Sequence, residues 1–175
     1  GPIWLPHWNG SGSPEADRFS RAAVVGMRTS HERGDPFRGL FESLAFWTRS
    51  NLSEMESLSS RRASRFVISG GTARFELLVQ LKADILNRPV EFPDLPETAG
   101  LGAALLAGIG AGCFSSPGDA LASIKAATRI FEPDPERAAW YDRLYQQAYL
   151  PLYDALKGIH HSLAGISGEM DPSVA

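Results

Sequence analysis

Cysteine is almost absent from this chain: Cys113 is the one thiol in 175 residues, so no internal disulfide forms and no second thiolate shares a metal with it. A reducing compartment, the cytoplasm, is the expectation. No uninterrupted apolar run approaches the roughly 18 residues of a membrane-spanning helix, and no basic stretch followed by an apolar one opens the chain. Excess charge is small too. A formal net charge of −3 excludes the strongly basic footprint of a nucleic-acid or anionic-membrane binder. What remains is a balanced globular composition, 43% hydrophobic and 21% charged, at a length suited to one domain. Apolar Ile3-Trp4-Leu5, directly after Gly1-Pro2, reads as the interior of a fold.

The spacing of apolar residues predicts an α/β chain. Ile3 to Leu5 and Val24 to Met27 are short strands, with a Gly/Ser/Pro-rich loop from Pro6 to Pro14. Phe37, Leu40, Phe41, Leu44, Ala45, Phe46, Leu52 and Met55 recur at helical steps over 35–57, with Asp35-Pro36 as N-cap and first helical position. Phe66-Val67-Ile68 is a β-branched run that stops at Ser69-Gly70-Gly71, after which Leu77, Leu78, Leu81 and Ile85 predict a helix over 74–86. A strand at 89–92 follows. The small-residue helix over 99–112 is expected to be buried, because Ala and Gly let neighbouring backbones approach closely. Ser116-Pro117-Gly118-Asp119 opens a helix to about 127. Asp134-Pro135-Glu136 caps a final one to about 163, bent at Pro151, and the chain beyond Gly165 reads as a loose tail.

The chemistry lies at Ser69-Gly70-Gly71-Thr72. A glycine pair between a buried strand and a helix lets backbone come within contact distance of a ligand, and the helix start supplies unpaired N–H groups and partial positive charge suited to phosphate. Glycine pairs also make tight turns with no ligand. The Lys-Ser/Thr ending of a P-loop is lacking, as is dinucleotide-fingerprint spacing.

Several segments together resemble the C-terminal domain of the FGGY family of carbohydrate kinases, which includes glycerol kinase, xylulokinase and fuculokinase. Ile68-Ser69-Gly70-Gly71-Thr72-Ala73-Arg74, followed by Gln80, Ala83-Asp84 and Arg88-Pro89-Val90, resembles the family's strand, nucleotide loop, helix and closing Pro-Val. The run from Glu97-Thr98-Ala99-Gly100 through Leu101-Gly102-Ala103-Ala104 to Leu105-Leu106-Ala107 resembles its Glu-x-x-Ala-Leu-Gly-Ala-Ala-x-Leu-Ala element. Leu5-Pro6, Gly10 and Pro14 are similar to the loop after a family strand, and Val25-Gly26-Met27 with Arg38 and Glu42 to its second signature. The resemblance runs from about residue 3 to about 160. Departures touch the substrate and adenine contacts: Pro36 and Gly39 replace an apolar and a small Ala/Ser residue, Gly12 stands where many members carry Arg, and Phe75-Glu76 stands where glycerol kinases have asparagines.

The resemblance implies an actin-like ATPase, ribonuclease H-like fold lacking its first strands, with 1–165 as a partial C-terminal nucleotide-side domain and 166–175 as tail. It implies an ATP-dependent kinase, working with Mg2+, that phosphorylates a sugar or polyol hydroxyl. The residues it assigns to the nucleotide are Gly70, Gly71 and Thr72 at ribose and α-phosphate, with Arg74 and Phe75 near the adenine. In relatives the catalytic carboxylate and nearly all sugar-binding residues precede the matched region, so no catalytic residue is expected in this chain, and the isolated chain is expected to be inactive. Homodimerisation is the family habit.

Other conspicuous residues have plainer roles. Asp84 is read as structural, either ordering the glycine loop or paired at the surface. Adjacent His160 and His161 point to different helix faces, and His7 and His31 have no ligand-spaced companion, so no metal site is predicted. Trp4, Trp47 and Trp140 are expected to anchor packing, with Trp8 as the exception. Cys113 is expected to be a buried, inert thiol, and Arg61, Arg62 and Arg65 a solvated loop.

Two readings follow. One is the C-terminal part of a sugar kinase, cut from a longer chain; the other is a non-catalytic nucleotide-binding or interaction module of the same fold. The first predicts an exposed apolar face, the second a covered or charged one.

Overall fold

A computed structural model of the chain describes residues 1–95 and 97–168, with the side chains of Thr72 and Ala73 outside that set. β1 (Ile3–Leu5) pairs antiparallel with β2 (Ala23–Val25), Trp4 opposite Val24. The connection 6–22 meets the last helical part of the chain, where Asp17 accepts from Tyr153 Oη at 3.0 Å. α1 (Gly34–Ser59) begins one residue earlier than the sequence suggests, because Asp35 lies inside the first turn and its carboxylate accepts the Glu32 N–H at 2.9 Å. α1 lies directly on β1 at Gly39, where a Cβ would stand 2.1 Å from the Pro2 carbonyl oxygen.

α2 (Glu76–Leu86) is the hub. Leu81 and Ile85 pack with Ala45 and Phe46 of α1 and with Tyr141, Tyr145 and Tyr149. Val79, Ala83 and Leu86 pack on the other side with Ile68, Val90 and Phe92. Removing each such large side chain from water contributes about 1.5–3 kcal/mol, so two faces of burial fix the axis of α2 and the direction of its N-terminus.

β3 (Val90–Pro93) pairs antiparallel with β4 (Thr128–Phe131), Glu91 opposite Ile130. The expected strand at Phe66–Ile68 lies parallel beside β3 as a single bridge, with the Ile68 N–H donating to Glu91 at 2.9 Å and the Glu91 N–H to Phe66 at 2.8 Å. α3 (Thr98–Gly110) corrects an expectation: none of its residues is buried, and Leu106 is 70% exposed. Its close approach is confined to one point, where Phe114 lies on Gly108 at a distance that leaves no room for a Cβ. Cys113 just beyond is exposed, not buried. α4 (Pro117–Ala122), capped by Ser116, is shorter than expected and leads to β4, which apolar spacing did not reveal.

The final segment is three pieces: α5 (Pro135–Leu144), a π-helical turn at Tyr145–Tyr149, and α6 (Leu152–Ile166). Pro151 has no N–H and its ring would meet the Gln147 carbonyl, so the turn before it widens and the Leu150 N–H reaches Tyr145 at 2.9 Å. α6 runs past the expected end, and the rest of the expected tail, 169–175, lies outside the described residues. Among the described residues no helix is long and apolar enough to cross a membrane. Trp4 and Trp47 anchor packing, donating to the Pro36 and Ser13 carbonyls, whereas Trp8 and Trp140 are exposed. Arg61 and Arg62 are exposed, and Arg65 pairs with Glu91.

Candidate functional site

The glycine turn sits where the two-faced burial of α2 holds it. Gly70 adopts φ +90°, a conformation that side chains oppose, and turns the chain from the buried Ile68 into a 3-10 turn at Gly71–Arg74. Gly71 is exposed and open: a Cβ there meets nothing within 4 Å. Phe75 occupies the N-cap of α2 in an extended conformation and offers no side-chain acceptor, so no side chain of that residue caps the first turn, while its carbonyl takes the Leu78 N–H at 2.9 Å and the Val79 N–H at 3.2 Å. The Phe75 ring is 62% exposed and stacks on Phe41 of α1 at 6.5 Å between centroids. The turn thus joins an uncapped helix start, an accessible backbone and an exposed aromatic face.

Two contacts brace it from the α3 side. Arg74 pairs with Glu97 at 3.2 Å, and Thr98 Oγ1 donates to Ser69 Oγ at 3.4 Å. From the other side Glu76, in the first turn of α2, pairs with Arg129 of β4, whose guanidinium lies 5.1 Å from the Phe92 ring centre. These pairs are exposed and individually weak, so they orient the segment more than they stabilise it. Gly70, Gly71, Arg74 and Phe75 therefore lie on one short accessible segment, and Thr72 belongs to the same turn with its side chain outside the described set. Glu97 and Arg129 are the neighbours that reasoning about the motif alone did not pick out.

Other conspicuous residues make their contacts elsewhere in the fold. Arg38 donates to Glu42 at 2.9 Å, and the buried Glu42 also accepts from Tyr141 Oη at 2.9 Å. Burial pushes the Tyr141 hydroxyl up to about 12, against the pull of Arg38. Asp84, in the third turn of α2, is 1% exposed and orders the start of α5. His160 and His161 do reach different partners, Ser20 and Asp17, and His31 accepts from the Arg28 N–H. His7, however, meets Ser20 and lies in the same buried cluster as His160, a proximity across the fold that sequence spacing does not reveal.

Residues 1–111 match the FGGY family of carbohydrate kinases, C-terminal domain. A glycerol kinase of Citrifermentans bemidjiense is 36% identical over 137 residues, 78% of this chain and 27% of that protein. The xylulose kinase of Rhodospirillum rubrum superposes with a TM-score of 0.75 at 31% identity, over 92% of this chain and 32% of that one. A gluconate kinase of Lactobacillus acidophilus shares the fold, with a TM-score of 0.76 at 23% identity over 93% of this chain and 32% of that one. The chain spans about a quarter of the length of the curated relatives it matches.

Proposed function

Since this chain belongs to the FGGY family of carbohydrate kinases, whose C-terminal domain residues 1–111 match, we propose that it forms the nucleotide side of an ATP-dependent kinase acting on a sugar or polyol hydroxyl. The observation that carries the reading is the position of the Gly70-Gly71 turn, open to solvent at the uncapped start of α2, within the region matched to that family.

The residues fit a nucleotide. Backbone at Gly71 is approachable without steric cost, the N–H groups at the start of α2 suit a phosphate, and the Phe75 ring offers a base a stacking surface. Arg74 is held by an exposed pair that a phosphate oxygen can replace at little cost. ATP, when bound, supplies the transferable phosphoryl group, and Mg2+ is proposed to arrive on its phosphates. This segment's part in transfer is positioning. The carboxylate that takes the hydroxyl proton, and the pocket that selects among polyol, ketose and sugar acid, are proposed to lie in the portion of its relatives' length that this chain does not span. Activity in the cytoplasm and association as a homodimer complete the proposal. The apolar face of α3, open to solvent, supports this reading over that of a stand-alone module, which would carry charge there.

Calorimetric titration of Mg-ATP and Mg-ADP into the chain tests the proposal without requiring turnover. Saturable binding of both, with no comparable heat from Mg-pyrophosphate alone, is expected; no saturable binding of either nucleotide would overturn it.

A further inference from the structure

A second polar cluster lies away from the glycine turn, where the 6–22 connection meets α6. His7 is 1% exposed, Ser20 is fully buried and His160 is 5% exposed. His7 Nδ1 lies 2.7 Å from Ser20 Oγ, and Ser20 Oγ lies 3.4 Å from His160 Nδ1. The Arg21 backbone N–H donates to the same His160 Nδ1 at 3.3 Å. That amide has only a proton to give, so His160 Nδ1 must present a lone pair and its proton sits on Nε2. Ser20 then has one hydroxyl proton for two imidazoles. Whichever ring receives it, His7 Nε2 is left buried and without a hydrogen-bond partner. The set requires a neutral His160, because a second proton on that ring would turn Nδ1 from acceptor to donor against the Arg21 N–H.

The geometry points to a pH-sensitive clasp: His7 and neutral His160, joined through Ser20, fasten the 6–22 connection to α6, and a second proton on His160 in mildly acidic solution releases it. The charges around the pair are mixed. Glu15 and Asp17 of the connection attract a proton to His7 while His160 repels one; at His160, Asp17 attracts a proton while Arg21 and His161 of α6 repel one. Trp47, the α1 ring beside His7, carries no charge. Burial outweighs the attraction and lowers both His7 and His160 below the ordinary imidazole value. Asp17 does not change charge over the same range. Burial alone would raise its carboxyl, but hydrogen bonds from His161, the Phe19 N–H and Tyr153 hold it at about 2.

The sign follows from proton counting. With folded pKa values below 6.5, the released segment binds more protons than the clasped one as pH falls below about 6.5, so clasping weakens with acid and is complete above that value.

Amide hydrogen exchange on the full chain, with long-range proton–nitrogen spectra of the imidazoles between pH 5 and 8, tests the clasp. The protection factor of the Arg21 amide is expected to fall at least tenfold from pH 7.5 to 5.5 relative to that of Val79 in the core. His160→Asn, which keeps an acceptor oxygen near the Nδ1 position without a titrating ring, is expected to cut that fall below threefold. Arg21 protection that tracks Val79, or a variant that keeps the whole fall, would overturn the inference. Should the variant not fold, the imidazole spectra decide: a midpoint below 6.5 for His160 supports the clasp, and a midpoint at or above it refutes it.

Discussion

Asp84, in the third turn of α2, accepts the backbone N–H of Asp134 at 2.9 Å and so ties the start of α5 to the helix that carries the glycine turn. The same oxygen accepts Gln80 Nε2 at 2.9 Å, and that amide also donates to the Glu132 carbonyl. The other carboxylate oxygen has no hydrogen bond and faces the Arg137 guanidinium at 3.4 Å. Replacing Asp84 by alanine strands a part-buried N–H and an amide, and is expected to destabilise the chain by about 2–4 kcal/mol in urea denaturation. Asp84→Asn keeps one acceptor and is expected to cost about half as much.

Gly39 departs from the small side chain usual in the family, and the structure supplies the reason. With the Pro2 carbonyl 2.1 Å from where a Cβ would stand, α1 and β1 meet backbone to backbone. Gly39→Ala is expected to cost about 2–3 kcal/mol by forcing the two apart, read as a lower denaturation midpoint with an unchanged slope. An unaltered midpoint would show that β1 moves freely.

Phe75 stands at a helix N-cap without capping it. Phe75→Ser, in the same extended conformation, is expected to stabilise the chain by about 1 kcal/mol. It also removes the exposed ring, so nucleotide affinity is expected to fall while stability rises. Denaturation and titration of the one variant separate those effects, and tighter nucleotide binding would count against a base stacked on Phe75.

Acid sensitivity has a second source at Glu56. Paired with Arg88 at 2.6 and 2.8 Å, and accepting the Ala63 N–H, its carboxyl is held at about 2. A depressed carboxylate adds stability above its ordinary value of about 4.5, and that contribution fades as pH falls toward 2. Glu56→Gln is expected to lower stability at pH 6 and to flatten its decline between pH 4.5 and 2.5, measured by thermal unfolding at a series of pH values.

The helical spacing of α1 and α2 and the strand-turn-helix order around Gly70 were legible because burial on defined faces imposes a period on the sequence. The glycine turn was legible for a related reason: Gly70 needs a conformation that side chains resist. α3 was misread because its small apolar residues are compatible with close packing but cannot say whether a partner is present. β4 was missed because four residues, Thr128 to Phe131, give too short an alternation, and their pairing with β3 is a contact between distant segments. The meeting of His7 with Ser20 and His160 was invisible for the same reason, since the last pair is separated by 140 residues. Glu97 and Arg129 brace the turn from elements whose placement only the fold reveals.

Gly70-Gly71 is proposed as a phosphate-approach surface and not merely a turn. Gly71→Asp isolates it, because the added side chain enters open space and leaves the strained Gly70 untouched. Calorimetric titration of Mg-ADP into the original chain and this variant, matched for thermal stability, is the direct test. Affinity reduced at least tenfold in the variant is the predicted result, from crowding and charge repulsion at the phosphates. Equal affinity in the two proteins would contradict the account and leave the glycine pair as a bend in the chain.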